Sequence, residues 1–171
     1  IWRWSRALIG FDGPGAPHLR IEQRVPAAGP TTIDMAANMA FYYGLVEALA
    51  TSSVAPECRL PFSTARANFY LAARYGLEAE LVWLDRQPVP VRDLILRQLL
   101  PLARLGLKQL NAADELADRL LDVVEARVSA GQNGAAWQQR FVERHGRDMA
   151  LVTREYRDRQ RSGNPVHTWD L

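Results

Sequence analysis

Candidate chemistry begins in the run Leu19-Arg20-Ile21-Glu22-Gln23-Arg24-Val25. Successive side chains of an extended strand alternate, so Arg20, Glu22 and Arg24 take one face while Leu19, Ile21 and Val25 take the other. A carboxylate between guanidinium groups suits one kind of chemistry well. The carboxylate holds a divalent metal such as Mg²⁺, and the planar guanidinium forks grip phosphate oxygens. The same alternation also describes a solvated ion-pair ladder, a common and weak surface feature. The run by itself leaves both readings open.

The remaining reactive residue types are scattered. His18, His145 and His167 have no metal-ligand spacing and read as surface groups. Cys58 has no neighbouring His and reads as a plain thiol. Gly13-Pro14-Gly15 lies in a turn rather than at a helix N-terminus, so it is not a phosphate loop. Asp34 and Asn38 share a helix face near the end of the charged run, where capping and core hydrogen bonding compete with substrate contact. Arg66 and Asn68 are placed to reach a ligand or to face solvent, and solvent is the simpler reading. Arg154, Arg157, Arg159 and Arg161 alternate with Glu155 and Asp158, as on a solvated face. Trp137 and Phe141, one helical turn apart, read as core.

The elements that must position these residues follow from hydrophobic periodicity. Two strand-like runs, 2–11 and 18–25, flank a turn-rich loop over 12–17 and predict an antiparallel β-hairpin. Thr31 or Thr32 caps a helix over 33–49 that is apolar on nearly every side, with Met35, Met39, Phe41, Tyr42, Leu45, Val46 and Leu49; such a helix is expected to be buried and central. A loop over 51–61 follows, then a helix over 64–75 capped by Ser63 and ended by Gly76. An extended piece over 78–84 precedes a long helix over 91–110, bent by Pro101, with Leu94, Ile95, Leu99, Leu102, Leu105 and Leu110 inward. Further helices are predicted over 113–129, with Leu116, Leu120, Val123, Val124 and Val128 buried, and over 133–145 and 148–161. The tail over 162–171 reads as extended. The expected fold is α+β and mainly α: a short antiparallel hairpin (1–30) packed with five or six helices (31–161).

Composition bounds the rest. The chain has 171 residues, 48% hydrophobic and 23% charged, enough to bury a core as one unit. A formal net charge of only +2 with interleaved acids and bases argues against a nucleic-acid binder, including a helix-turn-helix built around Gly131. All but one of the 21 basic residues are Arg, Lys108 being the exception. No apolar run reaches the roughly eighteen residues of a membrane span. One cysteine gives no disulfide framework, so a cytoplasmic location is expected. The chain opens at Ile1 on a strand-like run, which suggests a fragment of a larger protein.

The ordered series of motifs resembles a known family. Ile21-Glu22-Gln23-Arg24 is similar to the Ile/Leu-Glu-x-Arg strand of glutamate-cysteine ligases, and residues 26–45 resemble the bacterial carboxylate-amine ligase branch. The resemblance continues through Pro61-Phe62, the helix around 99–107, and Gly131-Gln-Asn-Gly-Ala-Ala-Trp-Gln138. It implies a partial glutamine-synthetase-like domain, 1–171 being the C-terminal portion of a larger ligase catalytic domain. In such a ligase ATP activates a γ-carboxylate as an acyl phosphate, which an amine such as cysteine then displaces. By motif position Glu22 is a Mg²⁺ ligand and Arg24 a phosphate contact, with Arg20 on the same face. Val25-Pro26-Ala27-Ala28 stands where many relatives carry an Asp. The family's other metal-binding carboxylates lie on N-terminal strands, so the implied partners are that N-terminal half, ATP with Mg²⁺, glutamate and an amine, and the fragment alone is expected to be inactive. An uncovered apolar surface and strand edge would favour a homo-oligomer. The contrasting reading is a non-catalytic helical interaction module with a surface ion-pair strand.

Overall fold

The hairpin forms as its alternation requires. β1 (Ser5–Asp12) pairs antiparallel with β2 (Ala16–Gln23), in register from Ser5↔Gln23 to Asp12↔Ala16. Gly13 and Gly15 both take positive φ, the conformation the tight reversal demands, and the Gly15 N–H donates to the Asp12 carbonyl at 3.2 Å. The structure, a computed structural model, describes residues 5–13, 15–26, 28–84 and 87–171. Trp2 at the expected strand start, Pro14 in the turn and Ala27 after the strand lie outside these residues.

α1 (Thr32–Ala50) is capped by Thr31, whose hydroxyl accepts from the Asp34 N–H. It is the central packing element, but not by the residues its apolarity suggested. The buried positions are Asp34, Ala37, Ala40, Gly44 and Ala48, whereas Met35, Met39, Tyr43 and Val46 are exposed. A uniformly apolar helix has no direction written into its hydrophobicity; the stripe of small residues decides which side another backbone can approach. That backbone is α5 (Leu100–Gln109), with Gly106 facing Gly44 so closely that neither site has room for a methyl group.

The loop after α1 contains a short helix, α2 (Pro56–Arg59), begun by proline at its first position. α3 (Phe62–Tyr75) starts two residues earlier than the Ser63 cap predicts and takes Pro61 as its N-cap, without a side-chain bond. Gly76, at φ 55, ends it. β3 (Glu80–Val82) then pairs with β4 (Pro88–Pro90), a second small hairpin. Its second strand escaped the sequence reading because Pro88 and Pro90 read as breakers; on a two-stranded ribbon their missing donors can face outward.

The long helix does not simply bend at Pro101. α4 (Val91–Leu94) runs into a π-helical turn (Ile95–Leu99) before α5, and the Leu100 N–H donates to the Ile95 carbonyl five residues back. The wider turn accommodates a proline that lacks an N–H. One inserted residue rotates everything after it by about 100°. The core positions therefore run Val91, Leu94, then Leu100, Ala103, Gly106 and Leu107, while Leu105 and Leu110, expected inward, are exposed.

Asn111, at φ 57, ends that helix, and α6 (Asp114–Ala130) follows with Ala117, Leu121, Val123, Val124 and Val128 buried. Leu116, expected in the core, is exposed, because the stripe is centred on Leu121. Gly131 closes α6 in the left-handed region. α7 (Gly134–His145) and α8 (Met149–Ser162) are capped by Asn133 and Asp148. The last ten residues are packed rather than merely extended. Val166, in a 3₁₀ turn (Val166–Thr168), and Trp169 are buried with Trp137, Phe141 and Val152 in a second core cluster, apart from the main cluster of α1, α5 and α6. The architecture is thus α+β and mainly α. Among the described residues no helix is long and apolar enough to cross a membrane.

Candidate functional site

The β1–β2 ladder sets the charged face. Arg6 lies directly across from Glu22, and its Nε donates to Glu22 Oε2 at 2.5 Å. Arg24 Nε approaches the same oxygen at 3.8 Å. Arg20 is exposed and folds over Gly10, where an added methyl would stand 3.3 Å from its Cζ; His18 covers the same glycine. Glu22 is about one-third exposed and both of its cationic neighbours are partly open to solvent. Two arginines thus flank one carboxylate, and Arg20 adds a third guanidinium to the same face. His18 is further occupied by Asp12, 3.1 Å away.

The opposite face of the same strand borders two concavities. Ile21 and Gln23, with Met35, Met39 and Tyr43 of α1, line one of about 400 Å³; Ser5, Gln23 and Val25, with Phe62, Phe69 and Tyr70 of α3, line one of about 390 Å³. Gln23 stands between them and accepts from the Ser5 hydroxyl across the ladder. The hairpin therefore presents its predicted charged residues on one side and cavities on the other.

A second polar centre lies below the helices. Asp34 is fully buried and accepts from three groups: the Thr31 hydroxyl at 2.8 Å, the Val166 N–H at 3.1 Å, and Arg127 Nη1 of α6 at 3.5 Å. Arg127 Nη2 donates to Asn38 Oδ1 at 2.6 Å. Core hydrogen bonding is thus the role of Asp34. Burial lowers the Arg127 guanidinium from its ordinary value while Asp34 pulls it back up. Burial, and secondarily the Asp34 carboxylate, raises the Tyr156 hydroxyl. His167 is lowered by burial, with Asp34 opposing and Arg127 reinforcing. Above this cluster opens a cleft of about 460 Å³ walled by Pro26, Ala28 and Pro30, floored by Asn38 and Arg127, and closed by the first turn of α7 and Tyr156. The sequence reading reached Asp34 and Asn38 but missed Arg127 and Tyr156. The available signal was Arg127 itself, a charge set between Val124 and Val128 on the apolar stripe of α6.

Other sequence candidates resolve into structural roles. Asn68 clamps β3, donating to the Val82 carbonyl at 2.7 Å and accepting from its N–H at 3.0 Å, so it neither faces solvent nor reaches a ligand. Arg66 lies over the Tyr70 ring. Arg159 departs from the solvated row: its Cζ is 5.1 Å from the Trp137 ring centre and it bridges Glu155 and Asp170. Trp137 stacks on Phe141 at 4.9 Å inside the core, and His145 packs against that ring. Cys58 is a free, exposed thiol. Among the described residues no group of three or more His, Cys, Asp or Glu is placed to hold a metal ion.

Residues 4–158 match the sequence model of Glutamate-cysteine ligase family 2 (GCS2), and the chain belongs to that family. The match takes in the Glu22-Gln23-Arg24 strand, α1, and the Gly131–Gln138 region, the segments whose resemblance had suggested it. No curated protein and no solved structure matches the chain at a significant level.

Proposed function

We propose that the chain is the C-terminal portion of an ATP-dependent carboxylate-amine ligase of the glutamate-cysteine ligase type, built on a glutamine-synthetase-like sheet. The observation that carries this reading is the pairing of Glu22 with Arg6 and Arg24, with Arg20 exposed further along the same strand, in a member of this ligase family. Arg24, assisted by Arg20, holds phosphate oxygens of ATP and of the γ-glutamyl phosphate that the amine, such as cysteine, displaces. Glu22 contributes one oxygen to Mg²⁺. Its Oε2 is engaged by Arg6 and Arg24; a Mg²⁺ ion there would commonly take one or two carboxylates and fill its remaining positions with phosphate and water. Bound there, Mg²⁺ would neutralise the transferring phosphoryl oxygens. The other carboxylates come from the N-terminal half of the ligase, so the 171 residues alone are inactive.

The test is turnover in the chain joined to its N-terminal half. ATP hydrolysis should require both glutamate and an amine, and Glu22→Gln should lower it by orders of magnitude with unchanged circular dichroism. Normal turnover in Glu22→Gln would remove the metal assignment. No ATP binding by the joined chain would favour the non-catalytic interaction module, the reading to which the exposed apolar residues of the hairpin also lend support.

A further inference from the structure

We infer that the cleft between α1, α6, α7 and α8 is a binding site for the carboxylate of a small amino acid. The cleft lies across Pro26 and Ala28 from the charged strand and is distinct from it. Its lining brings several donors together. Arg127 cannot accept, and each of its terminal nitrogens has one bond, to Asp34 or to Asn38, leaving a second proton uncommitted. Asn38 spends its oxygen on Arg127, so its amide NH₂ is what remains to be offered. The first turn of α7 adds the Gly134 and Ala135 amides, since the Asn133 side chain caps only the Ala136 N–H. Tyr156 brings a hydroxyl and Gln138 an adaptable amide.

Among the described residues no Asp or Glu lines the cleft; Asp34 is fully buried beneath Arg127 and accepts from Thr31, Val166 and Arg127. An acceptor-only guest meets this demand, and a carboxylate matches the planar guanidinium. Gly134 makes the approach possible. A methyl there would stand 3.1 Å from the Tyr156 hydroxyl and 3.0 Å from Pro30 Cγ, closing the space beside the exposed amides. About 460 Å³ exceeds what a bare inorganic anion needs, and the Pro26, Ala28 and Pro30 wall suits a short methylene stem. The identification of the guest as an amino acid rests on the ligase reading; the preference for a carboxylate does not.

The experiment is a titration of the ¹⁵N-labelled 171-residue chain with L-glutamate, without ATP or Mg²⁺, at constant ionic strength, in parallel with acetate and with inorganic phosphate. Saturating shifts at the Gly134 and Ala135 amides and at the Asn38 side-chain amide are expected with glutamate, and weaker ones with acetate. Tyr156→Phe, which keeps the ring, should weaken binding about three- to tenfold, the worth of one hydrogen bond. Gly134→Ala should abolish it while the shifts of α1 and α6 stay native. Glutamate shifts absent from these amides, or undiminished in Gly134→Ala, would overturn the proposal, as would phosphate binding there in place of glutamate. The same titration on Glu22→Gln separates the two proposals: intact binding in a protein without ligase turnover leaves the cleft standing alone, and a working ligase whose α7 amides ignore glutamate removes the cleft alone.

Discussion

At the α1–α5 crossing the side chains shrink to hydrogen and methyl groups, and two backbones meet; on the β1–β2 hairpin large apolar side chains stand largely exposed. Ile9, Phe11, Leu19 and Ile21 share one strand face and are each about two-thirds exposed or more, while Ala37, Ala40, Gly44 and Ala103 are buried. The two regions teach that apolarity and burial are separate properties. Close-packed small residues hold the helical body together, whereas the hairpin's apolar row is exposed on a two-stranded ribbon, an arrangement that is marginally stable by itself.

The contrast can be tested from its strongest point down. Asp34→Ala removes the counter-charge and hydrogen-bond acceptor at the base of the helical body, leaving Arg127 uncompensated; a loss of about 3–5 kcal/mol is expected in urea denaturation. Gly106→Ala comes next. Its new methyl would fall on the Gly44 carbonyl, 2.7 Å from the carbon, and forcing α1 and α5 apart should cost about 1–3 kcal/mol. Leu19→Lys, on the hairpin's exposed row, should change stability by no more than about 0.5 kcal/mol in this chain and reduce any self-association seen by ultracentrifugation. A loss above 1 kcal/mol at Leu19, or a neutral Gly106→Ala, would erase the distinction between the regions.

How much of this was legible depended on whether the signal was local. Caps are local, so a threonine at 31 or 32 marked the start of α1, while Gly76 and Gly131 take the positive φ that helix ends favour. The strand alternation placed Arg20, Glu22 and Arg24 on one side. The π-helical turn at Ile95–Leu99 was not legible, because nothing but Pro101 announces it, and its extra residue carried Leu105 and Leu110 from the expected inside to the outside. The face of α1 was unreadable from hydropathy alone, and only the spacing of Ala37, Ala40, Gly44 and Ala48 encoded it. The polar cluster joins residues from α1, α6 and the tail, and pairings over such distances leave no periodic trace.

That last pairing sets an order on synthesis. Val166 satisfies Asp34 across 132 positions, and Gln132 holds the same tail through the Val166 and Trp169 carbonyls. A growing polypeptide still on the ribosome carries α1 with its acid unsealed from beneath, so the helical body completes its interior only after Val166 has emerged.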